Sequence, residues 1–132
     1  MGTTGSPAEA GKTTLPVDFQ MSIAQLAETL IIAGHWDLQS AADIAGISPR
    51  TLQRKLADCG TSYTEVVVRT RIRLATRWIR DFDRPLSDIA RDLGYVDPAN
   101  FSRAFRRITG LSPRAYRNQL AAHTLDEIES GT

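Results

Sequence analysis

Asp97-Pro98-Ala99-Asn100-Phe101-Ser102-Arg103-Ala104-Phe105-Arg106-Arg107, closed by Gly110 and followed by Ser112-Pro113, decides the fold. An aspartate before a proline marks a helix start. The carboxylate accepts from the free N–H groups of the first turn, and the proline has no N–H to leave unsatisfied. Phe101 and Phe105 are one helical turn apart and share a face, which predicts a core stripe. Ser102 and Arg103 fall on the other side. Gly110 supplies the left-handed stop, and Ser112-Pro113 opens the next helix by the same capping chemistry. Ser48-Pro49 is a third start of this kind.

The third start belongs to a repeat. Ala42–Ser62 recurs as Asp88–Ser112: the turn glycines Gly46 and Gly94 are 48 residues apart, Leu52-Gln53-Arg54-Lys55-Leu56 matches Phe101-Ser102-Arg103-Ala104-Phe105 at an offset of 49, and Gly60-Thr61-Ser62 matches Gly110-Leu111-Ser112 at 50. The drift means one-residue insertions in the second copy. Each copy reads as a short helix, a glycine turn, a capped helix and a closing glycine, which is a helix-turn-helix unit. Two unrelated helical hairpins would not duplicate both the apolar and the arginine positions.

No window alternates strictly enough for a half-buried strand. The expected fold is all-α, with seven helices forming two helix-turn-helix subdomains joined by a long central helix. The spans are about Met21–Ala33, Leu38–Ala45, Pro49–Cys59, Ser62–Asp81, Leu86–Leu93, Pro98–Thr109 and Pro113–Ala122. Residues 1–18 read as a flexible tail or linker, 19–60 as the first subdomain, 62–81 as the linker helix, 85–122 as the second subdomain, and 123–132 as an acidic frayed tail.

In the linker helix Val68, Ile72, Ala75 and Ile79 line one stripe, and Val67, Leu74 and Trp78 the next, with Arg69, Arg73, Arg77 and Arg80 opposite. Arg71 projects within the apolar arc and needs a partner, expected to be Asp88 or Asp92. About 20 residues at ~1.5 Å each make a ~30 Å rod, close to the ~34 Å between major grooves on one face of a duplex.

Net charge hides the charge pattern. The whole chain is +1, yet 15 of its 16 basic residues lie between Ser48 and Arg117, and 14 of those are arginine. That stretch is +8, while residues 1–47 are −4 and 118–132 are −3. A basic block between acidic ends is the footprint of a protein that meets a polyanion. Arginine in place of lysine favours bidentate contacts to phosphate or guanine.

With Leu52 and Leu56 in the core, Arg50, Thr51, Gln53 and Arg54 are left to read bases, with Lys55 lateral and directed to phosphate. In the second copy Phe101 and Phe105 leave Pro98, Ala99, Asn100, Ser102 and Arg103 exposed. Arg54 and Arg103 hold equivalent places, each able to pair with guanine O6 and N7, while Gln53 or Asn100 suits adenine. Ser48 and Ser112 head helices whose N–H groups can meet phosphates, whereas Asp97 brings an anion and acts as a cap. Arg106, Arg107, Arg114 and Arg117 are read as phosphate contacts, which add affinity without sequence choice.

Gly94-Tyr95-Val96-Asp97-Pro98-Ala99-Asn100-Phe101-Ser102-Arg103-Ala104-Phe105-Arg106-Arg107, with Gly110-Leu111-Ser112-Pro113-Arg114-Ala115-Tyr116-Arg117, resembles the C-terminal signature of AraC/XylS-type transcriptional regulators. Ala45-Gly46-Ile47-Ser48-Pro49-Arg50-Thr51-Leu52-Gln53-Arg54 resembles that family's first helix-turn-helix, and Arg71-Ile72, Ala75 and Trp78-Ile79 its linker helix. The resemblance covers about Gln20–Leu120. It implies two helix-turn-helix subdomains on double-stranded promoter DNA, contact with RNA polymerase, and a bacterial cytoplasmic location. Base-reading positions carried over from it are Arg50, Gln53 and Arg54, then Pro98, Ala99, Asn100, Ser102 and Arg103. Pro98 and Ala99 have no side-chain donor, so the second unit is expected to read weakly or through thymine methyls. Most members carry an effector or dimerisation domain for which this chain has no room. The linker-like residues 1–18 favour an excised C-terminal half over a small stand-alone activator, with any small-molecule effector site lying in the absent part.

Other classes fare worse. Cys59 is the single cysteine, which excludes an intramolecular disulfide and a cysteine-only metal cage. His35 and His123 are 88 residues apart. No phosphate-binding glycine loop or nucleophile–base arrangement is present, so neither catalysis nor a cofactor nor a metal is expected. The longest apolar run, Leu30–Ala33, is far too short for a bilayer. An adaptor whose basic face meets an acidic protein is the remaining rival. It would show no sequence-dependent retention on DNA.

Overall fold

The computed structural model describes residues 16–131, with side chains over 19–123. Seven helices follow in order: α1 Pro16–Ala33, α2 Leu38–Ala45, α3 Pro49–Asp58, α4 Tyr63–Trp78, α5 Leu86–Asp92, α6 Pro98–Thr109 and α7 Pro113–Gly131. There is no strand among the described residues. The chain divides into two units, one ending at Val67 and the other beginning at Val68.

The three Ser/Asp-Pro starts form as their sequence dictates. The hydroxyl of Ser48 accepts from the Thr51 N–H at 3.1 Å, Asp97 Oδ1 from the Ala99 N–H at 3.0 Å, and the hydroxyl of Ser112 from the Ala115 N–H at 3.1 Å. Asp37 caps α2 likewise, and its bonds to Ser40 hold the carboxyl below the usual aspartate range.

The ends of the longer helices depart from expectation. Helix α1 begins at Pro16 rather than Met21, because a proline is well tolerated in a first turn and nothing between it and Met21 breaks a helix. Residues 16–18 are therefore helical, and the remainder of the expected tail lies outside the described residues. Helix α7 runs on to Gly131 instead of fraying after Ala122. Asp126, Glu127 and Glu129 are compatible with helix, and no glycine or proline intervenes before Gly131. Helix α4 is shorter than the 62–81 span: its 16 residues make ~24 Å. The carbonyls beyond its end are turned to another use, described below.

In the first unit, Leu52 and Leu56 of α3 are fully buried with Ala41 and Ala42 of α2 and Ala27 of α1. Tyr63 anchors the start of α4 by donating its hydroxyl to the Trp36 carbonyl at 2.8 Å. In the second unit, Ile89 of α5 and Leu93 just past its end are buried with Phe101 and Phe105 of α6. Aromatic rings step through that core: Tyr95 to Phe101 at 5.5 Å, Phe101 to Phe105 at 5.7 Å, and Phe105 edge-on to Tyr116 at 5.3 Å. Of the two expected stripes, Val67, Ile72, Leu74, Ala75 and, just past the end of α4, Ile79 are buried, whereas Val68 and Trp78 are half-buried; Arg69, Arg73, Arg77 and Arg80 are exposed. Thr70 is buried too, at a position with no apolar signal.

Gly46 and Gly94 place the second helix of each unit. Both take positive φ, 77° and 97°, where a side chain is strained. The turns superpose bond for bond: Ile47 N–H donates to Ala42 O at 3.1 Å, and Tyr95 N–H to Ala90 O at 3.0 Å. The repeat read from sequence is thus a repeat of turn geometry.

Candidate nucleic-acid interface

Burial of Leu52 and Leu56 forces the opposite side of α3 outward. Arg50, Gln53 and Arg54 are exposed there and hold no side-chain bond within the described residues. Thr51 is half-buried; its hydroxyl accepts from Ser48 Oγ at 2.9 Å, which joins it to the cap. Lys55 is exposed, with its ammonium 5.7 Å from the Phe19 ring centre. Ser48 is exposed at the head of the helix, with the Thr51 N–H already taken by its hydroxyl.

Helix α6 repeats this with differences. Phe101 and Phe105 point inward, and Asn100, Ser102, Arg103, Arg106 and Arg107 are exposed. Arg103 donates to Asn100 Oδ1, so two expected base readers are bonded to each other, a coupling that spacing alone did not reveal. Asp97 is engaged as the cap and sets a negative charge at the helix start. Ser112 is half-buried and caps α7, with Arg114 exposed beside it.

Two arginines act otherwise than expected. Arg117 is half-buried, and its guanidinium donates to three main-chain carbonyls: Ile79 at 3.1 Å, Arg84 at 2.8 Å and Asp81 at 3.0 Å. These bonds tie α7 to the loop that follows α4, and they commit three of the guanidinium's N–H groups to main chain. No sequence signal separates it from Arg114, because the distinction depends on a loop more than thirty residues earlier. Arg71 does not pair with Asp88 or Asp92. Those carboxylates bind Arg91 at 2.8 Å and Arg84 respectively. The Arg71 guanidinium instead lies 5.0 Å from the Tyr95 ring centre, a cation–π placement within the second unit. Burial raises the Tyr95 hydroxyl above the usual phenol range, opposed by the charges of Arg71 and Arg107.

Each unit therefore presents the second helix of a glycine-turned pair, with polar and arginine side chains opposite a buried stripe. That geometry defines a duplicated helix-turn-helix domain of the DNA-binding class.

Comparison with known proteins fixes the family. A helix-turn-helix domain family matches residues 41–119. The chain is 43% identical over 81 residues to the ornithine utilization regulator of Pseudomonas aeruginosa, covering 61% of this chain and 24% of that protein. It is 36% identical over 105 residues to the transcriptional regulator VirS of Mycobacterium tuberculosis, covering 78% of this chain and 31% of that one. Among solved structures, a DNA-binding transcriptional dual regulator from Escherichia coli K-12 matches with a TM-score of 0.71 at 25% identity, over 78% of this chain and 92% of that chain. The C-terminal domain of AraT, a response regulator from Geobacillus stearothermophilus, matches with a TM-score of 0.58 at 27% identity, over 74% and 84%. The chain belongs to the AraC-type helix-turn-helix family of DNA-binding transcriptional regulators. It spans about a quarter to a third of the length of these two regulators, 24% and 31%.

Among the described residues, no helix is long and apolar enough to cross a membrane.

Proposed function

We propose that α3 and α6 each enter a major groove and that one copy uses both helices in adjacent grooves of a single duplex. The observation behind this reading is the matched exposure of Arg54 and Arg103, each opposite a buried pair one turn apart (Leu52 and Leu56, Phe101 and Phe105). Arg50, Thr51, Gln53 and Arg54 read bases in one half-site; Asn100, Ser102 and Arg103 read them in the other. Ser48, Lys55, Arg106, Arg107, Ser112 and Arg114 hold phosphates. Bacterial promoter DNA is the ligand, RNA polymerase the protein partner and the cytoplasm the compartment, with any small-molecule control exerted through further sequence outside these helices.

Selection of bound duplexes from a random pool, followed by footprinting of the winner, tests the reading. Two protected segments about one duplex turn apart are expected. Log affinity should fall with log salt by about 0.9 for each phosphate neutralised. A single protected segment of half that extent would refute adjacent-groove binding. Equal retention of all sequences would refute base reading.

A further inference from the structure

The two units differ by one residue at the point where the recognition helix begins. Between turn glycine and cap, the first unit has Ile47 alone and the second has Tyr95 and Val96. The hydrogen bonds show which of the two is extra. Gly46 and Gly94, and then Ile47 and Tyr95, make equivalent turn bonds at an offset of 48, whereas the first bonds of the helices, Leu52 N–H to Ser48 O and Phe101 N–H to Asp97 O, stand at 49. Tyr95 is the counterpart of Ile47 and packs at a tilt against the Phe101 ring. Val96 is the insertion.

Val96 is 99% exposed. A single exposed aliphatic side chain needs no explanation. This one stands one residue before α6, separated only by the capping Asp97 from two more exposed apolar residues, Pro98 and Ala99, that open the helix. That end is also a poor seat for phosphate, because the Asp97 carboxylate already occupies the Ala99 N–H and carries negative charge. Val96, Pro98 and Ala99 thus offer no side-chain donor, and the first donor on α6 is the Asn100 amide. In the major groove the only base-pair feature an apolar group can single out is the thymine C5-methyl.

We propose that Val96 is a specificity-determining residue that packs against the methyl of one thymine in the half-site read by the second unit. The proposal rests on the reading that α6 enters a major groove. The first unit lacks the inserted residue and has no equivalent contact.

The test uses the full 132-residue sequence and the duplex it selects. Each thymine of the second half-site is replaced in turn by deoxyuridine, which removes only the methyl. One replacement should weaken wild-type binding about fourfold, the value of one buried methyl-sized group. Val96→Ala should bind the thymine and deoxyuridine duplexes alike at that position. Cytosine there should bind better to the wild type, but not to Val96→Ala, once it carries a 5-methyl group. A Val96→Ala protein that keeps the full thymine preference overturns the proposal; if it also loses activation of transcription, Val96 faces a protein partner instead. Arg103→Ala separates this from failure of the underlying reading. If Arg103→Ala relaxes base discrimination in the second half-site while Val96→Ala changes nothing, the methyl contact alone falls. If neither variant nor any thymine replacement matters, α6 does not enter the groove and both readings fall.

Discussion

In its first two turns α3 exposes Arg50, Gln53 and Arg54, none of them bonded to another side chain within the described residues, whereas the same turns of α6 expose Ala99, Asn100 and an Arg103 already bonded to Asn100. Beneath the surface the contrast reverses. The first unit fills its core under α3 with Leu52 and Leu56, while the second uses Phe101 and Phe105 in a run of tilted and edge-on rings from Tyr95 to Tyr116. The difference teaches that duplication preserved the frame and let the two faces diverge. One unit keeps unengaged polar side chains over an aliphatic core. The other holds a coupled pair and an apolar tip over an aromatic core.

The largest expected effect is on that aromatic core. Phe105→Ala should cost ~4 kcal/mol in denaturant unfolding, by loss of buried ring and the cavity left behind. Leu56→Ala should cost ~3 kcal/mol. A larger loss at Leu56 would erase the contrast between the two interiors. Arg117→Ala comes next. Three bonds to main-chain carbonyls at ~1 kcal/mol each suggest a loss of ~3 kcal/mol. The salt slope of DNA binding should stay as it was, and a slope lowered by one phosphate would return Arg117 to the interface.

Base discrimination follows. Arg54→Ala should lose ~2 kcal/mol of preference at one base pair, and Arg103→Ala less, because Arg103 must first leave Asn100. Competition between specific and random duplexes measures this, and equal losses from both kinds of duplex would mark either residue as a phosphate contact. Smaller still is Asp97→Ser. It keeps a capping oxygen while removing a negative charge from the end of α6, so binding to all duplexes should strengthen by ~0.5 kcal/mol. Weaker binding would show the carboxylate itself contacting a base.

The last effect is alkaline. The Tyr95 hydroxyl is raised in the folded protein and ionises near pH ~10 when unfolded. Above that pH the unfolded state gives up a proton that the folded state keeps, so stability falls as pH rises further. Tyr95→Phe should flatten the fall, seen as melting temperature against pH from about 9 to 11. An unchanged profile would mean that other groups set it.

The capped starts were legible because proline and a short polar residue settle the matter within one turn. The exposed faces of α3 and α6 were legible because Leu52, Leu56, Phe101 and Phe105 fix the rotation of each helix. Arg71 and Arg117 were not. Their partners, the Tyr95 ring and the carbonyls of Ile79, Asp81 and Arg84, lie far along the chain, and a charge count cannot tell a solvated guanidinium from one used inside. The end of α4 was missed for the same reason, since a distant arginine satisfies the carbonyls there. Val96 was visible as a residue but not as an insertion until the turn bonds fixed the register.

Arg117 grips neutral dipoles, and two of the three residues it grips are shielded from solvent, Ile79 buried and Arg84 half-buried. Counter-ions screen such an attachment far less than they screen an open arginine on a phosphate. Concentrated salt should therefore elute this domain from a DNA column still folded, and dialysis alone should restore full binding.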